Sequence, residues 1–200
     1  MVKKMQEQPI LIENPTALFD FSVIADFEEK ILSLASEMAL ILTDYEIDHM
    51  AVRVNHCKTA KSYLDLFVKK GRIVSDNLIN GRVIYLVELE QPITFLGQNV
   101  SIVELPYPKD KIYPREGWEH IEIVMPFLPQ ESVADWCERI KKQFQLNQLT
   151  HLKVKVDEPK ADGEKLPNPS IAVSFADKQQ NHTCIKVHPY NIKQIIEVNQ

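Results

Sequence analysis

The sequence predicts an α+β fold: two similar βαβββ halves around one shared cleft, with a helical layer at the N-terminus. Three observations predict it. Apolar residues recur at helical spacing up to about residue 43 and at a spacing of two after Tyr45. The order strand, helix, three strands then occurs twice. The strand opening each half also carries one signature, an acidic residue, a histidine and apolar alternation: Asp48-His49-Met50-Ala51-Val52-Arg53 and Glu119-His120-Ile121-Glu122-Ile123-Val124. An internal repeat weighs more than a single motif because chance must strike twice.

Asn14 is placed to cap a helix with Pro15 at its first position. The stripe Leu18, Phe19, Phe21, Val23, Ile24, Phe27, Ile31, Leu34, Met38 and Leu42 predicts one long or two short helices over residues 15–43, a packing layer without chemistry. The first half then reads as a strand at 48–54, a helix at 59–70 with Thr59 as its cap, and strands at 72–78, 82–90 and 99–105. Asn80-Gly81 supplies a tight hairpin turn. A proline-rich bridge runs from Pro106 to Pro114. The second half reads as a strand at 119–125, a helix at 130–144, a strand at 151–157, a polar loop from Pro159 to Pro169, and strands at 170–176 and 183–188. A short helix at 191–198 ends the chain. The closing strands also correspond, Ile102-Val103-Glu104-Leu105-Pro106-Tyr107 with Ile185-Lys186-Val187-His188-Pro189-Tyr190. The whole is one domain: helical layer 1–44, modules 45–108 and 115–190, and a C-terminal helix over 191–200.

Composition narrows the function classes. Apolar residues make up 44% of the 200 and charged residues 26%, enough to build a core. The net charge is −5, and basic pairs such as Lys3-Lys4, Lys69-Lys70 and Lys141-Lys142 are scattered, which argues against nucleic acid as a partner. Cysteines at 57, 137 and 184, odd in number and without a Cys-x-x-Cys, exclude a disulfide framework or Cys-based zinc site; Cys137 and Cys184 read as small apolar residues. Met-Val-Lys-Lys hints at a signal sequence, but Gln6, Glu7, Gln8, Pro9, Glu13 and Asn14 interrupt any apolar run. The expectation is a cytoplasmic protein, monomer or homodimer, with neither membrane nor nucleic acid as a partner.

Strand alternation selects the candidate site. Met50, Val52 and Val54, and Ile121, Ile123 and Met125, face the core. The opposite faces hold His49, Arg53, Glu104, His120, Glu122, Lys186 and His188. If the halves pair around a pseudo-twofold axis, the first and last strands converge, and His49, Glu104, His120 and His188 form a nitrogen and oxygen ligand set. Such a set suits zinc, and also iron, manganese or nickel. His56, His151 and His182 lie at loops or strand ends and read as surface residues.

The repeated unit resembles the vicinal oxygen chelate superfamily, which includes glyoxalase I, extradiol dioxygenases and methylmalonyl-CoA epimerase. More narrowly, the chain resembles the YecM family of bacterial proteins. The stretches that carry the resemblance are Asp48 to Arg53, Asn77 to Arg82, Ser101-Ile102-Val103-Glu104-Leu105-Pro106, Tyr113-Pro114, Glu116 to Val124, Leu166-Pro167-Asn168-Pro169 and Lys186 to Pro189. The superfamily implies a curved mixed sheet enclosing a metal cleft, with one ligand from the first and last strand of each module: here His49, Glu104, His120 and His188, the last departing from the usual glutamate. It implies that two adjacent substrate oxygens, or one oxygen beside a carbonyl, chelate a divalent ion, which stabilises an enolate-like or oxyanionic intermediate. The imidazole and carboxylate donors put zinc ahead of iron, nickel or manganese.

Glu122 is then the candidate base, and Arg53 and Lys186 the substrate-binding residues. Arg53 can hold a carboxylate in a bidentate pair, or stand in an ordinary ion pair with Asp48, Glu88 or Glu104. Trp118 roofs the cleft or packs where the halves meet. Two functions compete: a metal-dependent isomerase, lyase or oxygenase acting on a small oxygenated molecule, and a metal-free protein that sequesters a small ligand in the same cleft. Histidine at three ligand positions favours the first.

Overall fold

A computed structural model describes residues 14–158 and 165–199. Lys3-Lys4 and the residues weighed against a signal sequence up to Glu13 lie outside them, as do 159–164 of the polar loop.

The Asn14 side chain accepts from the Thr16 N–H at 3.1 Å and starts a 3-10 turn, Pro15–Phe19. Helix α1 follows (Phe21–Glu37), and a second 3-10 turn (Leu42–Asp44) ends the helical layer. The first module is β1 (Ile47–Arg53), α2 (Cys57–Lys70), β2 (Gly71–Ile79), β3 (Arg82–Phe95) and β4 (Gln98–Pro106). The second is β5 (Gly117–Val124), α3 (Val133–Gln143), β6 (Leu152–Asp157), β7 (Ser170–Phe175) and β8 (Cys184–His188), followed by α4 (Ile192–Asn199).

Three local readings shift. α2 starts after His56, two residues before the expected start, so Thr59 lies inside the helix and caps nothing. α2 also runs into β2 without a loop. Only glycine serves at that junction, because a Cβ on Gly71 would run into the Glu88 carbonyl. β3 continues five residues past the expected end. A register shift between Glu88 and Ile93 carries the pairing past Gln91-Pro92, which breaks the alternation in sequence. Asn80-Gly81 behaves as expected, with φ of 51° and 75°, the double positive that a two-residue hairpin of matching twist requires.

Among the described residues eight strands form one mixed sheet in the order β2-β3-β4-β1-β5-β8-β7-β6. Each module closes with its first strand parallel to its last, β1 on β4 and β5 on β8, and the modules join through antiparallel β1 and β5. This is the paired βαβββ architecture expected, and His49 and His120 sit on equivalent strands. The outermost strands β2 and β6 line the same cavity through Asn77 and Lys155, so the sheet curves around it.

The expected faces hold. Met50, Val52, Ile121 and Ile123 are fully buried in one hydrophobic cluster that runs through both modules. α1 lies over β5 and β8, and α2 over β2, β3 and β4. Trp118 belongs to this side: its Nε1–H donates to the Leu18 carbonyl at 2.8 Å and its ring stacks on Phe27, so it packs under the N-terminal layer and does not roof the cleft. Cys137 and Cys184 are buried, and desolvation pushes the Cys184 thiol up to about 12. No helix among the described residues is long and apolar enough to cross a membrane.

Candidate metal centre

The centre of the polar face is built by two matched irregularities. In the pairing of β1 with β5, Ile47 opposes Ile123 and His49 opposes Glu122, so Asp48 is the extra residue of a bulge. Ala51 opposes His120 and Val52 opposes Trp118, so Glu119 is the extra residue on the other strand. In a regular strand an acid next to a histidine points to the opposite face. The bulges re-aim both acids beside their histidines. Asp48 Oδ1 lies 2.9 Å from His49 Nδ1, and Glu119 Oε2 lies 2.6 Å from His120 Nδ1.

Each carboxylate therefore takes the Nδ1–H and turns Nε2 inward. The two Nε2 atoms lie within 4.8 Å of each other and of Glu104 and Glu122 carboxylate oxygens. Glu122 Oε1 is 3.4 Å from His49 Nε2 and 3.3 Å from His120 Nε2; Glu104 Oε2 is 3.9 Å from the former and Glu104 Oε1 3.6 Å from the latter. All four residues are buried, His120 completely, and neither Nε2 has an aligned hydrogen bond. A buried ring nitrogen without a partner costs about 1–3 kcal/mol, so two facing each other need an explanation.

His188 stands one step away. Its Nε2 is 3.0 Å from Asp48 Oδ2 and its Nδ1 3.6 Å from Glu122 Oε2, giving a second group of Asp48, His49 and His188. The strand pairings show why. His49 pairs with Ile102 and His120 with Cys184, so the twofold partner of Glu104 is Lys186 and that of Pro106 is His188. The expected match of the closing strands is off by one residue, since a parallel register is set by tertiary pairing and not by local similarity.

Charge balance is tight. Lys186 Nζ donates to Glu122 Oε1 at 2.6 Å. Arg53 Nη1 is 3.4 Å from Glu104 Oε1, and Arg53 Nε 3.6 Å from Glu119 Oε2, so of the alternatives for its ion pair Glu104 is found, with Glu119 added. Burial alone would raise the Glu122 carboxyl, but Lys186 and then His49 hold it well below the usual range. Burial of Glu104 is likewise outweighed by Lys186, His120 and Arg53, which bring it down to about 2. Burial would keep His49 neutral, yet Asp48 and then Glu122 raise it well above an ordinary imidazole. Three anions around one imidazole favour a cation, whether proton or metal.

His49, Arg53, Glu104, Glu119, Glu122, Lys186 and His188 line a cavity of about 370 Å³, while His120 is fully buried and outside its lining. Its walls carry Ser75 and Asn77 from β2 and Ser170 and Ser174 from β7, and α4 lays Ile192, Ile195 and Ile196 across it. The Ile192 N–H donates to Asp48 Oδ2 at 2.6 Å.

Residues 19–199 match the YecM protein family. The chain belongs to the YecM family. It is 37% identical to Protein YecM of Escherichia coli over 84% of this chain and 85% of that one. It is also 59% identical to a Haemophilus influenzae protein described as uncharacterized, over 95% of this chain and 97% of that one. A solved structure described as Protein EC4020 superposes with a TM-score of 0.73 at 32% identity, covering 96% of this chain and 99% of that one.

In this YecM-family chain the donors fit a divalent ion. Two imidazole nitrogens and two carboxylates suit zinc, manganese, nickel or ferrous iron. Both histidines have the carboxylate partner on their far nitrogen that metal-binding imidazoles almost always have. Among the residues expected from sequence, the structure brings His49, Glu104, His120 and Glu122 together, sets Lys186 and Arg53 on their carboxylates, and leaves His188 against Asp48. The sequence offers Asp48 only as an ion-pair partner for Arg53 and gives Glu119 no role; the signal for both is an acid directly before the histidine in each half. His56 and His151 are exposed as expected, but His182 is half-buried.

Proposed function

We propose that this protein binds a divalent metal through His49, Glu104, His120 and Glu122, and is an enzyme of the isomerase, lyase or oxygenase type acting on a small oxygenated molecule. One observation carries the reading: two buried, hydrogen-bond-deficient Nε2 atoms, each fixed by a carboxylate on Nδ1, converge with two carboxylates. When bound, such an ion polarises a carbonyl or hydroxyl oxygen as a Lewis acid. Zinc is favoured, with iron, nickel and manganese as rivals. Asp48 and Glu119 orient the imidazoles. Glu122 is here a candidate ligand and not the base, and His188, with Nε2 3.0 Å from Asp48 Oδ2, has a supporting part.

A second reading is supported by Lys186 and Arg53, which already compensate Glu122 and Glu104. A site balanced in this way serves a metal-free binding protein that holds a small ligand.

Elemental analysis and calorimetric titration with zinc, manganese and ferrous iron decide between the two. Native protein is expected to bind one ion per chain. His120→Ala should abolish binding, and Glu119→Gln should weaken it about 10–100-fold by loosening the imidazole. Native protein that takes up none of the three ions would leave the metal-free reading standing.

A further inference from the structure

The twofold that relates the modules is broken at one position of the site. β4 offers Glu104 beside β1, and the equivalent place on β8, beside β5, offers Lys186. An ammonium thus stands where symmetry calls for a second ligand carboxylate. Its Nζ is 2.6 Å from Glu122 Oε1, the oxygen that faces both Nε2 atoms.

A tethered cation and a metal ion compete for that oxygen. Two positive centres a few ångströms apart repel strongly inside a protein, so an ion that takes Glu122 displaces Lys186. The freed ammonium remains in the cleft, close to the ion and without its counter-charge. Arg53 loses part of its own when Glu104 turns to the metal. Among the described residues the surroundings offer little replacement: seven Lys and Arg side chains line the cavity against four Asp and Glu, in a chain of net charge −5. Three of those four acids are the ones at the floor, Glu104, Glu119 and Glu122. Arg82 and Lys153, on opposite walls, have no ion pair among the described residues.

Building on the metal reading above, we propose that the substrate is a 2-hydroxy or 2-oxo carboxylate, that its chelating oxygens meet the ion, and that Lys186, released from Glu122, receives its carboxylate. The position of Lys186 sets the class. Its ammonium touches a ligand oxygen, so the anionic group it reaches is the one directly next to the chelating oxygen and not one at the far end of a longer molecule. The cations on the walls draw such an anion into the cleft.

The test uses zinc and two probes of the same shape, glycolate and its neutral analogue glycolamide, titrated by calorimetry into native protein, Lys186→Gln and Lys186→Arg. Removing the competing ammonium should tighten zinc binding in Lys186→Gln about tenfold or more. Removing the receiving ammonium should weaken glycolate at the zinc-loaded protein about tenfold, as for a lost charge-assisted hydrogen bond, and leave glycolamide unmoved. Lys186→Arg should keep the glycolate preference. The opposite signs for metal and glycolate are what a merely structural lysine does not give. Zinc uptake with glycolate affinity unchanged in Lys186→Gln, or with both probes weakened alike, overturns the proposal and leaves the metal site intact. Native protein that takes up no metal overturns the metal reading itself and this proposal with it.

Discussion

His182 sits behind the site, with Nε2 3.2 Å from the Trp118 carbonyl, to which it donates. Burial, with the nearby cations Arg115 and Lys30, brings its pKa down from 6.5 to about 4, against the opposing pull of the Trp118 carbonyl and Glu119. It is therefore neutral in the fold, while the unfolded chain takes up a proton below about pH 6.5. Between those values the unfolded state binds more protons, so stability falls as pH drops through 6.5 to 4, by about 2–3 kcal/mol. The buried carboxylates with lowered pKa lose their stabilising contribution further down, as pH falls from the ordinary carboxylate range toward their folded values. Urea unfolding of native protein and His182→Gln at pH 7 and pH 4.5 separates the two: the variant should lose less stability on acidification, and equal losses would refute the assignment. Legibility at this scale follows the physics of alternation. His49, His120, Glu104, Arg53 and Lys186 were found because strand period fixes which face a side chain takes. Asp48 and Glu119 were not placed, because a bulge reverses the face and its position depends on the partner strand. The half-burial of His182 is not legible, because the Trp118 carbonyl it meets is 64 residues away in sequence.

At the level of elements, β1 and β5 are central strands, with the hydrophobic cluster on one face and the cleft on the other. Every residue of β1 is buried. Val52 is fully buried on the helix side, in the cluster with Met50 and Ile121. Val52→Asp therefore buries a charge with no partner and should destabilise by about 3–5 kcal/mol, read as the shift in urea midpoint multiplied by an unchanged slope. A loss within about 0.5 kcal/mol, the range of a surface substitution, would mean the faces are reversed. The eight strands and the larger helices were legible because their apolar spacing is regular and the breaks between them carry Pro, Gly and Asn. The far half of β3 was not, because Pro92 sits at a register shift that ladder pairing tolerates and alternation does not. The start of α2 was missed because Thr59 suggests a cap, whereas the helix begins at Cys57 with His56 before it.

Across the whole molecule the twofold governs the sheet but not what covers it. α4 follows the second module only, and it crosses the cleft instead of joining the main hydrophobic cluster. Its attachment to the floor runs through one buried carboxylate. Asp48 accepts from the Ile192 N–H with Oδ2 while Oδ1 holds His49 Nδ1, and His188 approaches the same Oδ2. Burial would raise the Asp48 carboxyl, but His188 and then His49 drive it well below the usual range, so it stays charged. A charged acceptor at the first turn of a helix, facing backbone N–H groups, is a favourable arrangement. The consequence is that the orientation of His49 and the seating of α4 depend on the same group. Asp48→Asn keeps the shape and removes the charge. It should release α4 by about 1–2 kcal/mol, the worth of one charge-assisted hydrogen bond, and so speed amide exchange over residues 192–199 about tenfold. Exchange in β1 and β5, held by strand pairing on both sides, should stay slow. The same variant should weaken zinc binding, since His49 loses the carboxylate on its far nitrogen. Faster exchange in α4 with zinc affinity unchanged would show that the helix and the site are held separately, and the shared role of Asp48 would fall.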